Sequence, residues 1–163
     1  MFYLIPITIT FVCTDLMRHY FQPLNNIYLK FFSKVTRKIE KDNFTLTGAS
    51  YYLLGCSLIF LFFDNKHIIV SSLLTMTISD SFAAIVGIKY GETKIFRDSS
   101  LEGSFAFLIS TIIIMFLFAP TLSVFEILFI SICATFVELF STHYINDNIT
   151  IPLSCGILIH IFI

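Results

Sequence analysis

Charged side chains are scarce in this chain of 163 residues. Asp, Glu, Lys and Arg together make up 13% of it, whereas hydrophobic residues make up 56%, and the mean hydropathy is +0.87. Soluble domains usually carry about a quarter charged residues, and a water-soluble fold of this composition would expose far too much apolar surface. The shortage of charge excludes an ordinary soluble protein and predicts an integral membrane protein.

The chain also lacks an excess of positive charge and lacks paired cysteines. Its formal net charge of −1 excludes a general affinity for nucleic acid. No CxxC spacing occurs, and every cysteine lies in an apolar segment, which predicts small buried hydrophobic residues rather than disulfides or metal ligands. These cysteines are Cys13, Cys56, Cys133 and Cys155.

The apolar segments predict an all-α fold, a polytopic transmembrane helix bundle of about six spans that forms one domain over residues 1–163. A spanning helix needs roughly 20 residues, and its backbone groups must be satisfied within the segment itself. The first segment has neither a basic region nor a small-residue cleavage site, so it is interpreted as a membrane helix rather than a signal peptide. The spans are expected at residues 1–17, 46–63, 67–88, 102–119, 121–142 and 149–163.

The basic residues orient this bundle. Nine of the ten lie between the first and second spans or between the third and fourth, and only Lys66 lies in an alternate loop. Positively charged loops stay on the cytoplasmic side. The pattern therefore predicts an active site that faces the cytoplasm, in a bacterial cytoplasmic membrane or an ER-type membrane.

Residues 18–45 form a long, basic connection between the first two spans. Leu29, Phe32, Val35 and Ile39 recur at helical spacing, which is typical of a helix in the headgroup region. An ordinary cytoplasmic loop whose cations set the topology explains the same residues equally well.

Asp80 is the most informative single residue, because it interrupts the apolar stretch at residues 68–88. A carboxylate in hydrocarbon costs several kcal/mol and persists where it faces a polar cavity or a partner. At three- and four-residue spacing, Asp80 shares a predicted helix face with Thr77, Ser81, Ala84 and Gly87. Asp80 is therefore a candidate for a functional site, and a structural ion-pair partner is the alternative.

A second acidic stripe, Thr135, Glu138 and Thr142, lies on the fifth predicted span. Two acidic helices that face one cavity suit Mg²⁺, which prefers hard oxygen ligands and bridges phosphates. Glu138 could instead accept a proton from a hydroxyl nucleophile, or pair with an arginine for structural reasons alone. Glu126 lies in the first turn of its helix, where a carboxylate complements the helix dipole, and is interpreted as structural.

Residues 89–101 are predicted to form a cytoplasmic phosphate-binding loop. Glycines let backbone amides approach phosphate oxygens, and cations neutralise them. No GxxxxGK[ST] sequence occurs, so this is not a Walker A loop. Ser99 or Ser100 is expected to cap the helix that follows, presenting a positive helix end to an anion.

The segment from Asp147 to Pro152 opens the last predicted span. Asp147 or Asn148 is expected to cap that helix, with Pro152 in its first turn. Capping explains much of this segment, and a metal or nucleotide contact is the second interpretation.

Together these strings resemble the CTP-dependent polyprenol and lipid kinases, the family of dolichol kinase, phytol kinase and CTP-dependent diacylglycerol kinase. The resemblance covers nearly the whole chain with the motifs in family order. It is carried by Asp15–Arg18, by residues 37–55 from Arg37-Lys-Ile-Glu to Gly55, by Asp80-Ser-Phe-Ala-Ala-Ile-Val-Gly-Ile-Lys-Tyr-Gly91, by Ser100-Leu-Glu-Gly-Ser104 and by Asp147-Asn-Ile-Thr-Ile-Pro152.

The resemblance implies phosphoryl transfer from a nucleoside triphosphate, usually CTP, to a lipid alcohol in the bilayer, with Mg²⁺ or another divalent cation. Expected catalytic residues are Asp80, Glu138 and Arg37, and expected metal ligands are Asp80 and Asp147. Expected nucleotide-binding residues are Lys38, Gly48, Gly87, Lys89, Gly91, Lys94, Arg97, Ser100 and Gly103. Ser99 stands where family members often have a lysine, a role that Arg97 is expected to take.

Two other functions remain open at this stage. A phosphatidate cytidylyltransferase would carry a long signature ending in Pro-Gly-His-Gly-Gly, and this chain lacks it. A transporter or non-catalytic membrane subunit would use Asp80 and Glu138 as an ion path and would leave the basic loop without a role. The sequence does not distinguish a monomer from a homo-oligomer, CTP from ATP or UTP, or one lipid alcohol from another.

Overall fold

The computed structural model describes residues 3–32, 46–96, 99–141 and 146–163, and these residues are mostly helical. The chain divides into two compact units, Met1–Ser57 and Leu58–Ile163. The helices are α1 (Leu4–Tyr20), α2 (Gln22–Phe32), α3 (Gly48–Phe62), α4 (Lys66–Tyr90), α5 (Leu101–Phe118), α6 (Val124–Phe140) and α7 (Asp147–Phe162). Each predicted span coincides with one of these helices, so its helical character is confirmed.

In the first unit, a buried carboxylate on α1 holds the start of α3. The Asp15 side chain accepts hydrogen bonds from the Thr47 backbone amide at 2.7 Å and from the Ser50 hydroxyl at 2.7 Å. Its second oxygen pairs with Arg18 Nε at 2.7 Å, and the Arg18 guanidinium stacks 4.5 Å over the ring of Tyr28 on α2. One carboxylate thereby caps α3 and, through Arg18, links it to α1 and α2.

In the second unit, polar caps define where the helices begin. Asn65 caps α4 by accepting from the His67 amide at 2.9 Å. Ser123 and Glu126 form a reciprocal capping box on α6, so the structural role expected of Glu126 is confirmed. These caps satisfy amides that have no partner within their own helix.

Two of the helices, Lys66–Tyr90 and Leu101–Phe118, are long and apolar enough to cross a membrane. Only 39% and 33% of their apolar windows are buried in the structure. Because most of each apolar surface is exposed, these helices differ from the core helix of a soluble protein and are consistent with a membrane protein. Gly48–Phe62 and Asp147–Phe162 are apolar but shorter, so the number of crossings stays a prediction.

Helix α4 contains a π-helical turn at Thr75–Ser79, directly before Asp80. The turn contains one residue more than a regular α-helical turn. It therefore rotates the side chains after it about the helix axis, and a regular α-helical projection drawn across the turn is not valid. Ser81 and Ala84 are exposed, whereas Ser79 and Ala83 are buried. The face predicted for Asp80, Ser81, Ala84 and Gly87 lies wholly after this turn, on the regular α-helical stretch Asp80–Tyr90, and the turn affects only the place of Thr77 on that face.

The segment between α4 and α5 is more ordered than a loop. Strand β1 (Lys94–Phe96) pairs antiparallel with β2 (Ser99–Ser100), with an irregular register between Lys94 and Phe96. The hairpin is attached to the start of α5, because the Leu101 amide donates to the Thr93 carbonyl at 2.9 Å. This short pair is the exception to the all-α class that the sequence predicts.

Candidate active site

Three acidic side chains from three helices come close together in the second unit. Glu138 on α6 interacts electrostatically with Asp80 on α4 and with Asp147 on α7. Glu138 and Asp80 are both half-buried, as is Asp147. The sequence predicts Asp80 and Glu138 for one cavity and Asp147 for the metal, and the fold brings Asp80 and Asp147 within electrostatic range of Glu138.

Ser104 joins this cluster from α5; in the sequence it is named only as the end of the Ser100–Ser104 string, with no predicted role in the site. Its side chain lies next to Glu138. Within the described residues, neither Ser104 Oγ nor Glu138 Oε2 has a partner at hydrogen-bonding geometry, although both atoms are buried. Buried polar atoms without a partner are rare, because each costs about 1–3 kcal/mol in lost hydration. The only sequence signal was a serine one turn inside an apolar helix.

The glycines expected to bind nucleotide lie at the contact between α4 and α5. A Cβ atom at Gly103 would approach the Ala83 carbonyl oxygen to 3.0 Å and the Gly87 Cα to 3.4 Å. A Cβ at Gly87 would come within 3.2 Å of Ser100 Oγ, and one at Gly91 within 2.6 Å of the same atom. All three positions are therefore occupied by glycine because the Ser100 side chain and the neighbouring helix leave no room for a larger residue.

Ser100 itself caps α5, as the sequence predicted. Its hydroxyl accepts a hydrogen bond from the Gly103 amide at 3.1 Å. The acidic residue of this motif, Glu102, accepts from the Thr93 amide at 3.3 Å and so attaches the hairpin to the helix. The motif Ser100-Leu-Glu-Gly103 thus serves packing and capping at once.

The hairpin also packs against the helix that carries Glu138. The ring of Phe96 on β1 meets the ring of Phe140, two residues after Glu138, edge to face at a centroid distance of 5.5 Å. Lys94 on the same strand is exposed, and Lys89 is exposed in the last turn of α4, with its ammonium 5.2 Å from the Tyr90 ring. Two cations therefore lie on elements that border the acidic cluster.

The start of α7 differs in detail from the prediction. The cap is Asn146, which accepts from the Asn148 amide at 3.0 Å, and Asp147 is the first helical residue. Pro152 lies within the helix rather than in its first turn. Because proline has no N–H, the carbonyl of Asn148, four residues earlier, has no helical donor. A backbone acceptor is thereby left next to Asp147.

Other predicted site residues fall elsewhere. Gly48 is the first residue of α3 and belongs to the first unit. Arg37, Lys38, Arg97 and Thr142 lie outside the described residues. Over the described ranges, no group of three His, Cys, Asp or Glu side chains is close enough to hold a metal ion by itself. The cysteines at positions 13, 56, 133 and 155 are free thiols.

No protein-family model and no solved structure matches the chain. Among curated proteins, it is 38% identical to an uncharacterised protein of Rickettsia prowazekii over 146 residues, which cover 86% of this chain and 71% of that protein. It is 28% identical to dolichol kinase of Schizosaccharomyces pombe over 149 residues, 84% of this chain and 29% of the kinase.

A second kinase shares a shorter part of the chain. The CTP-dependent diacylglycerol kinase of Saccharomyces cerevisiae is 36% identical over 94 residues, 56% of this chain and 31% of the kinase. The chain thus spans less than a third of the length of the curated kinases it matches. It belongs to the family of the Rickettsia prowazekii protein, and dolichol kinase and CTP-dependent diacylglycerol kinase are its distant homologues.

Proposed function

We propose that this chain is a membrane kinase that transfers the γ-phosphoryl group of a nucleoside triphosphate, with CTP favoured, to the hydroxyl of a lipid alcohol. The observation that carries the proposal is the approach of Asp80, Glu138 and Asp147 from three separate helices. Like charges half-buried near one another repel, and a divalent cation bound between them would relieve that repulsion. The distant kinase homologues support the same reading.

The acidic cluster fits a divalent cation that is shared with a substrate. Carboxylate oxygens are hard ligands, and Glu138 Oε2 is buried without a partner among the described residues. Because no three such side chains are grouped tightly there, the protein would supply only part of the coordination sphere, as is usual for Mg²⁺ bound with phosphates and water. Asp80 and Asp147 would hold the ion, which would neutralise charge on the β- and γ-phosphates.

The remaining residues have separate roles in this proposal. Glu138 would accept the proton of the lipid hydroxyl. The alcohol oxygen then forms a bond to the γ-phosphorus while the bond to the bridging oxygen breaks, and the nucleoside diphosphate leaves. Lys89 and Lys94 stabilise the charge on the phosphates, because positioning and electrostatics dominate phosphoryl transfer. The same role for Arg37, Lys38 and Arg97 stays a prediction from the sequence, since these residues lie outside the described part of the chain.

A double-label experiment tests this function. The purified chain is incubated in lipid vesicles with Mg²⁺, a long-chain lipid alcohol and CTP labelled either at the γ- or at the α-phosphate. Transfer of only the γ-label to lipid is the expected result. Transfer of the α-label to phosphatidate would instead indicate a cytidylyltransferase, and no transfer from CTP, ATP or UTP to any of polyprenol, phytol or diacylglycerol would overturn the proposal.

A further inference from the structure

Ser104, one turn into α5, carries a buried hydroxyl group. The residue is only 8% exposed, and within the described part of the chain its Oγ atom has no hydrogen-bond partner. Hydroxyls inside a helix commonly donate to the carbonyl four residues earlier, as Ser81 does to Thr77 at 2.6 Å and Ser110 to Ala106 at 2.7 Å. Since Ser104 makes no such bond among the described residues, its hydrogen is available to another acceptor.

The contact between α5 and α6 places a carboxylate next to this hydroxyl. Ser104 and Thr135 line the same groove between the two helices, and Glu138 follows Thr135 by three residues, on the same face of α6. The side chains of Ser104 and Glu138 are neighbours. Glu138 Oε2 is also buried without a partner in the described ranges. A hydrogen-bond donor and an acceptor, each unpartnered, therefore lie side by side.

The position of Ser104 is fixed by the residue before it. Gly103 lies so close to α4 that a Cβ atom on it would come within 3.0 Å of the Ala83 carbonyl oxygen. A contact this close leaves α5 little freedom to rotate against α4. The direction of the Ser104 side chain is therefore set by helix packing, and a group on a packed helix holds its neighbour more precisely than a group on a loop.

We infer that Ser104 is a positioning residue for Glu138, and that its hydroxyl donates a hydrogen bond to Glu138 Oε2. The hydroxyl hydrogen turns freely about the Cβ–Oγ bond and an ionised carboxylate only accepts, so a small rotation of either side chain closes this bond. The bond removes two buried unpartnered atoms at once, each of which is otherwise costly.

The role of this bond rests on the proposed kinase function. With Oε2 held by Ser104, the carboxylate of Glu138 keeps one orientation and takes the proton of the lipid hydroxyl on its other oxygen. Ser104 keeps its own hydrogen throughout and touches neither substrate. Its contribution is to hold the base in place before the reaction begins.

Infrared spectroscopy tests the hydrogen bond without requiring catalysis. The purified chain carries a heavy carbon isotope in its glutamate carboxyl groups and is studied in lipid nanodiscs, where the Glu138 band is the one that disappears in Glu138→Gln. We expect this band to move in Ser104→Ala, because the carboxyl group loses a donor. Ser131→Ala is the matched control and should leave the band in place. Ser131 Oγ is likewise buried without a partner among the described residues, but it lies about two turns before Glu138 on α6.

Turnover tests the role in catalysis. Ser104→Ala should lower kcat roughly tenfold or more, the effect of losing a hydrogen bond to a charged group. The KM values for CTP and for the lipid alcohol should stay within about twofold, because Ser104 contacts neither substrate. Ser104→Thr should restore most of kcat, since it keeps the hydroxyl and the groove beside Ser104, about 200 Å³ in volume, has room for one methyl group.

Thermal unfolding in the same nanodiscs shows whether each variant is folded. Ser104→Cys keeps the volume of the side chain with a much weaker donor, so it gives the same comparison if Ser104→Ala does not fold.

The outcomes separate the two proposals. A moved Glu138 band together with a lower kcat that threonine restores supports the inference. An unmoved band, an unchanged kcat, or an equal fall of kcat in Ser104→Ala and Ser131→Ala would overturn it and leave the kinase function standing. A moved band in a chain that transfers no phosphate would support the hydrogen bond and overturn only the kinase function.

Discussion

The backbone amide of Asp80 donates its hydrogen bond to the carbonyl of Thr75, five residues earlier, rather than to Met76. This bond closes the π-helical turn in α4. Such turns are uncommon and are frequent at functional sites, because they shift the side chains that follow relative to those before. Ser79, the last residue of the turn, is fully buried, and its hydroxyl accepts from Thr111 on α5 at 3.0 Å.

Replacing Asp80 with Asn should lower the rate of phosphoryl transfer by about two orders of magnitude or more, because the charge needed to hold a divalent cation is lost. The protein should remain folded, since the change removes one of the repelling charges around Glu138. Turnover and the melting temperature in detergent are measured together. Asp64→Asn, at an exposed position before α4, is the control. Full turnover with a lowered melting temperature would make Asp80 a structural residue.

Replacing Lys94 with Ala should raise the KM for the nucleotide roughly tenfold or more, through the loss of a charge-assisted contact to phosphate. Lys94 is exposed on β1, so its removal should leave the melting temperature unchanged. Initial rates at varied CTP concentration give the KM, and Lys66→Ala, at the exposed start of α4, is the matched control. Equal KM values in the two variants would mean that Lys94 does not contact the nucleotide and serves only as a signal for membrane topology.

Gly87 and Gly103 should respond differently to the same substitution. Gly87→Ala should destabilise the protein by about 1–3 kcal/mol, because its Cβ would meet Ser100 Oγ at 3.2 Å. In a Ser100→Ala background that contact disappears, so the cost of Gly87→Ala should be much smaller. Gly103→Ala should be rescued less, since its Cβ would meet the Ala83 carbonyl oxygen at 3.0 Å as well as Ser100 Oγ at 3.2 Å. Chemical denaturation of the six proteins measures the coupling, and equal costs in both backgrounds would contradict the packing described for Ser100.

The hydrogen bond between Thr111 and Ser79 offers a test of the π-helical turn. Thr111→Val should lower stability by about 1 kcal/mol, because both hydroxyls are fully buried. Ser110→Ala is the control, since the Ser110 hydroxyl bonds only within its own helix, to the Ala106 carbonyl at 2.7 Å. The variants are compared by melting temperature in detergent. Equal loss in both would mean that the contact between α4 and α5 adds no stability.

Membrane orientation can be tested with cysteines introduced at Asp64 and Glu92, which are both exposed and lie at opposite ends of α4. In a background without the native cysteines, a membrane-impermeant maleimide should label the Glu92 position only from the cytoplasmic side and the Asp64 position only from the other side. Labelling of both from one side would remove the argument that the acidic cluster faces the cytoplasm.

The sequence predicts the helices of this protein closely and the geometry between them poorly. The span expected at residues 102–119 is Leu101–Phe118 in the structure, because apolar length and a serine cap determine a membrane helix. The π-helical turn has no periodic signal, since one extra residue changes the phase without changing composition. The β pair depends on Glu102 and Thr93 meeting across the hairpin, which no local pattern reveals.

The residues of the candidate active site are likewise predictable from the sequence only in part. Asp80 and Glu138 are recognisable because a carboxylate in an apolar helix is costly. Ser104 is not, because a serine is tolerated in any such helix and its meaning depends on a neighbour 34 residues later. The sequence predicts Gly87, Gly91 and Gly103 as nucleotide-binding positions. Their close packing against Ser100 depends on the contact between α4 and α5, which no local sequence pattern reveals.

The start of α3 is held by Asp15, a side chain of a different helix. The helix begins where a carboxylate 32 residues earlier receives the Thr47 amide, so its first residue is determined from α1 and not by the residues just before it. Removing the Asp15 carboxylate should therefore loosen the first turn of α3, although the changed residue lies on a different helix.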